Sequence, residues 1–226
     1  MSDQYVTLMA SLPPHLPNLF ATKQTPLSRI KLDERLLMLK PEDADDLAVI
    51  ENLVHWDRMS IDTTDEEMLK RGIQAEKQLE NEFIKEMVRW RLEERTFVTA
   101  LRRRHLGKST LFASSKWGYG RWMQQIEKHW NEPAFGLDLQ HPWILDANRL
   151  LQEDNYLGLE RLLLGLVWDH YGRVVGNHYF DFQAVVVYVL RWDVIDRWSR
   201  YNTGRAEKRF NEMAASALGE YANLFA

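Results

Sequence analysis

Apolar residues return every three or four positions along most of the chain, with polar residues between them. The clearest run is Phe83, Met87, Trp90, Phe97 and Leu101, at separations of three, four or seven, which places all five on one stripe of an α-helix. A start signal precedes it. Thr64 and Glu67 stand three residues apart in TTDEEM, the spacing at which each side chain satisfies the other's backbone N–H. The pattern predicts a helix reaching Leu106, broken near Gly72 and capped by Gly107. It is the longest helix expected in the protein.

Shorter stretches repeat the pattern. TPLSRIKLDERLLMLKPEDADDLAVIENLVHWD reads as two helices. The second opens at Pro41, with Glu42, Asp43 and Asp45 complementing its positive end and Leu47, Ile50 and Val54 facing inward. RWMQQIEKHW predicts a short helix stopped near Pro133, and PWILDANRLLQE another with Pro142 near its first turn. Three more are expected: Tyr156 to Val175 with an apolar face at Leu159, Leu162, Leu163, Leu166 and Val167; Asp181 to Tyr201 with Val185, Val186, Val189, Trp192 and Ile195; and Arg205 to Tyr221.

Two stretches break the helical rhythm. YVTLMAS, Tyr5 to Ser11, is β-prone and runs into Pro13, Pro14 and Pro17, so a short strand or extended arm is expected there. LGKSTLFASSKWGYG carries Gly, Ser and Thr without a period and reads as a connection between helical halves at 1–108 and 109–226, packed as one compact unit. The fold class is therefore all-α, a multi-helix bundle with a short N-terminal extended arm or strand.

Composition narrows the function. A chain of 226 residues, 45% hydrophobic with nine Trp, nine Phe and eight Tyr, can bury roughly 70 to 75% of its unfolded surface. Its 33 acidic and 29 basic residues leave a net charge of -4, so no overall positive field draws in nucleic acid and no nucleic-acid partner is expected. Without cysteine there are no disulfides, thiolate metal sites or cysteine nucleophiles. The N-terminus lacks the basic region of a signal peptide, and Glu160, Arg161 and Arg191 cut the longest apolar runs well short of the roughly 20 residues that span a bilayer. A cytoplasmic protein with no direct membrane span is expected.

The candidate chemistry is sparse. GKST at Gly107 is half of a phosphate-binding loop, but the earlier glycine of GxxxxGK[ST] is Arg102 here, and the motif follows a helix instead of a strand. A glycine cap after a basic last turn explains it better. Arg102, Arg103 and Arg104 read either as a solvated helix end or as a charged handle for an acidic protein partner. Glu127, His129 and Glu132 do not share one helical face, and no HExxH motif exists, so no metal is expected. Asp169, His170, His178 and Asp181 read as a helix end and a new N-cap at Asp181. No GxSxG motif supports a nucleophilic serine. Trp90, Trp122, Trp168, Trp192 and Trp198 fall on expected helices and read as core anchors with hydrogen-bonded indoles.

One helix carries a resemblance. FIKEMVRWRLEERTFVTALRRRHLG resembles a helix of the V/A-type ATPase central-stalk subunit, C in prokaryotes and d in eukaryotes, in which a carboxylate and paired basic residues precede an apolar stretch; Glu93, Glu94 and Arg95 occupy that stretch here. HYFDFQAVVVYVLRWDVIDRWSRYN resembles the closing helices of the same subunit. YVTLMASLPP, PLSRIKLDERLLMLKPEDADDL and FGLDLQHPWILDANRLLQ, with LGLERLLLGLVW, are similar to a family of uncharacterised bacterial proteins encoded beside V-type ATPase subunits. The resemblance implies a non-enzymatic structural subunit or assembly factor of that rotary ATPase, cytoplasmic and peripheral to the inner membrane. A socket between rotor shaft and membrane ring is one such role. No catalytic residue, metal or cofactor comes with it, only a protein-interface role for Glu94, Arg95, Arg102, Arg103 and Arg104. An independent helical adaptor and an enzyme with a carboxylate or histidine site remain the alternatives.

Overall fold

A computed structural model describes residues 3–54, 65–107 and 117–200, and among them there are helices and turns but no strand. The helices are α1 (Asp3–Ser11), α2 (Arg29–Leu36), α3 (Pro41–Val54), α4 (Asp65–Gln78), α5 (Glu82–His105), α6 (Met123–Lys128), α7 (Trp143–Gln152) and α8 (Tyr156–Val174). A last helix, α9, covers residues 182–200. The expected helix from Arg205 to Tyr221 and the capping pair's Thr64 lie outside the described residues, as does most of the connection after Gly107.

Side-chain caps set the boundaries. Ser28 accepts from the Lys31 N–H at the start of α2, Asn81 from Ile84 at α5, and Asn155 from Gly158 at α8. Asp181, expected as an N-cap, accepts from the Ala184 N–H at 2.9 Å where α9 begins. Gly107 takes φ +68 and donates to the Arg104 carbonyl, closing α5 as the sequence predicts.

Two expectations are corrected. Tyr5–Ser11 is not a strand but the body of α1: Tyr5 and Leu8 are buried together, three residues apart on one face, and that packing overrides the β-propensity of the segment. The extended path begins only at the prolines that follow. The break in the long helix falls between Gln78 and Glu82, where Asn81 can cap, and not at Gly72. Gly72 lies inside α4 because a side chain there would collide with α5: a Cβ would stand 2.4 Å from Leu92 Cδ2.

The buried side chains form two clusters. The larger unites α1 to α4 and the first half of α5 with the end of α8 and all of α9. The smaller joins Phe97, Ala100 and Leu101 of α5 to Trp117, α6, the 134–137 turn, α7 and Leu159 of α8. Thus α5 and α8 each run through both clusters, and each cluster joins described residues from before Gly107 to described residues from after Trp117. On α5, Met87 belongs to one core, Phe97 and Leu101 to the other.

Helix α9 is more enclosed than a one-sided apolar face requires. Its residues 184–190 are all buried, so neighbours surround it. The segment before α2 belongs to this wrapping: from α9, Tyr188 donates to the Pro13 carbonyl and Trp192 to that of Leu27, and Trp198 meets Phe20 of the 3₁₀ turn Leu19–Ala21 edge to face, while Trp168 of α8 donates to the Pro17 carbonyl. For Trp168 and Trp192 the expected hydrogen-bonded core indole is found. Arg29 ties α2 to the buried Glu51 of α3 at 2.5 Å and faces the buried Asp193 of α9 at 3.8 Å, so one guanidinium serves two buried carboxylates.

Candidate functional site

Helical spacing builds the candidate site. On α5, Arg91, Arg95, Val98 and Arg102 recur at intervals of three or four, with Glu94 beside Arg95, and form one stripe beside the buried one. On α8 the positions Tyr156, Glu160, Leu163 and Val167 recur in the same way. The two stripes line a groove of about 450 Å³, to which Leu53 of α3, Met68 of α4 and Arg197 of α9 also contribute. Its α8 wall is aliphatic apart from Glu160 and Tyr156, while its α5 wall carries the charge.

Glu94 is the unusual member. Its residue is only 6% exposed, and its Oε2 is buried without a hydrogen-bond partner. Burial pushes its carboxyl up to about 7, against the pull of the Arg91 charge and with a smaller push from Glu93. Near neutral pH this group is therefore divided between an O–H donor and a carboxylate. Glu160 is already paired: Arg197 donates to it across the α8–α9 boundary. Among the described residues the groove is lined by Arg91, Arg95, Arg102 and Arg197 together with Glu94 and Glu160.

The structure separates the five residues expected at an interface. Glu94, Arg95 and Arg102 line the groove. Arg103 lies over the Trp117 ring at 5.5 Å. Arg104 turns inward, donating to the carbonyls of Trp130 at 2.9 Å and Pro133 at 2.8 Å, to that of Glu132, and to Asn148 Oδ1 at 2.7 Å, with its guanidinium 4.3 Å from the Phe135 ring centre. Burial holds its pKa below the ordinary arginine value. Arg104 therefore fastens the 130–133 turn and α7 to the end of α5, which is a structural task.

Sequence reading missed Arg91, Glu160 and Arg197 as members of the site. A signal for Glu160 was present, since it interrupts an otherwise aliphatic helix face at LGLERLLLGLVW. Arg197 carried none, because its place depends on how α9 meets α8. The other candidates do not converge. His129 bonds Glu132 at 2.6 Å, His178 bonds the capping Asp181 at 2.6 Å, and His170 stacks on Trp90. Among the described residues no helix is long and apolar enough to cross a membrane.

Neither the curated proteins nor the solved structures contain a match to this chain. Residues 2–217, nearly the whole chain, match the family described as "Protein of unknown function (DUF2764)", and the chain belongs to that family.

Proposed function

We propose that the chain is a non-enzymatic structural subunit or assembly factor of a bacterial V-type rotary ATPase, held at the inner membrane through the complex. The observation that carries this reading is the placement of Glu94, Arg95 and Arg102 along an open groove on α5, the helix that resembles the central-stalk subunit. A partner helix or loop meets charge there on a rigid element, since α5 is fixed by both hydrophobic clusters. The socket between rotor shaft and membrane ring is the form of this role that the resemblance favours.

Purification of the ATPase through a tag on one of its own subunits tests the proposal. The native chain co-purifies, and an Arg102→Glu variant, altered at an exposed position, is recovered at least tenfold less. Absence of the native chain from the purified ATPase overturns the proposal. Capture of the chain with an unrelated protein instead supports the independent adaptor.

A further inference from the structure

We infer that His15 is a proton-operated latch: when its imidazole takes up a proton, the 13–18 segment lifts from α8 and α9 and uncovers Trp168 and Tyr188. The inference concerns the isolated chain and does not depend on membership of a rotary complex.

The segment is placed to move as one piece. It runs between two fixed points, Leu12 and Leu19, both buried in the larger cluster. Between them Pro14, Leu16, Pro17 and Asn18 are exposed and Pro13 is half-buried, while the His15 ring packs inward, edge-on to Tyr188 at 4.2 Å and tilted toward Trp168 at 6.0 Å. Pro13, Pro14 and Pro17 have no backbone N–H to give. The segment is instead fastened from outside, Tyr188 of α9 donating to the Pro13 carbonyl at 2.8 Å and Trp168 of α8 to that of Pro17 at 3.2 Å. So short a stretch can open locally while α1 and α2, on either side of it, stay packed.

The trigger is the state of the ring. Both His15 nitrogens are buried without a hydrogen-bond partner among the described residues. A neutral imidazole leaves one N–H and one lone pair unmet there; an imidazolium leaves two N–H groups and a full charge. The surrounding groups oppose that charge. Arg191 of α9, its guanidinium 3.8 Å from the Trp168 ring centre, repels it, and Lys23 lines the same hollow as His15. Arg35 of α2 acts on the Tyr188 hydroxyl, and Asp169 of α8 acts on Arg191. Burial first, and Arg191 second, lower the His15 pKa from 6.5 to about 4. Lifting the segment gives both nitrogens to water and restores the ordinary value. Docking is therefore fully supported above pH 6.5 and weakens as the pH falls toward about 4.

Hydrogen exchange of the indole N–H groups, followed by NMR on the full-length chain, tests this. Trp168 reports on the latch through Pro17, and Trp192, bonded to the Leu27 carbonyl beyond it, reports on the neighbouring core. After correction for intrinsic exchange, the opening constant at Trp168 is expected to rise between about fivefold and about twentyfold from about pH 7 to about pH 5, while Trp192 stays protected. His15→Phe, which keeps a ring on Tyr188 and cannot take up a proton, abolishes the rise, and His170→Phe preserves it. In the native chain the His15 ring titrates with a midpoint below 6.5. A rise that persists in His15→Phe, a His15 midpoint at or above 6.5, or Trp168 and Trp192 opening together overturns the inference.

Discussion

Trp90 of α5 and His170 of α8 lie face to face, their ring centroids 3.6 Å apart and their planes within 1° of parallel. Burial, followed by the positive charges of Arg173 and Arg91, lowers the His170 pKa from 6.5 to about 4. The unfolded chain thus takes up a proton that the folded chain refuses. The resulting stability is complete above pH 6.5 and declines as the pH falls toward about 4. His170→Phe keeps the stack and removes the proton. In urea titrations it is expected to gain about 1 kcal/mol relative to the native chain on going from about pH 8 to about pH 5, after allowance for solvent screening at a half-buried site. An equal difference at both pH values contradicts this.

Glu94 carries the opposite sign. Its folded pKa is raised from 4.5 to about 7, so the folded chain keeps a proton that the unfolded chain has lost, and stability falls as the pH rises through that window. The charged groups of the groove are Arg91, Arg95 and Arg102 on α5, Glu160 on α8 and Arg197 on α9, with Glu93 acting from α5. Glu94→Gln cannot ionise. Relative to the native chain it is expected to gain up to about 3 kcal/mol between about pH 4 and about pH 8, measured by urea unfolding. A stability difference that does not change with pH sinks the assignment.

Arg104 makes a fold-level prediction. Its guanidinium reaches three carbonyls and Asn148 at once, a geometry that a lysine ammonium cannot reproduce. Arg104→Lys is expected to cost about 2 kcal/mol and Arg104→Ala about 3 kcal/mol. Hydrogen exchange should rise in the 130–137 turn and in α7. Denaturation midpoints matching the native chain for both variants contradict the structural role.

Gly72 tests the close approach of α4 to α5. Leu92 stands where the Cβ of any larger residue would go, and Leu92 is itself buried and lines the groove. Gly72→Leu is expected to cost about 2 to 3 kcal/mol through overpacking. A melting temperature unchanged by that substitution means that the helices are not in the described contact.

Much of the helix set was legible because apolar periodicity and capping residues are local signals. Pro41, Pro142, Asp181 and Gly107 each stand at or beside the helix ends expected from the sequence. What failed locally was decided by distant packing. Tyr5 reads as β-prone, yet its hydroxyl bonds Asp43 and its ring is buried, so tertiary contact makes the segment helical. Gly72 looks like a helix breaker until Leu92 is seen against it. At the candidate site, the α5 stripe was readable from spacing. Arg104 was misjudged because its partners lie 26 to 44 residues away, and Arg197 was missed because it enters from another helix.

Native mass spectrometry of the V-type ATPase, purified from membranes through one of its own subunits, tests the central proposal most directly. A complex that contains this 26.8 kDa chain, and that is missing or uncoupled in a strain lacking its gene, is expected. An intact, fully coupled ATPase from the deletion strain, together with a native complex that never contains the chain, contradicts it.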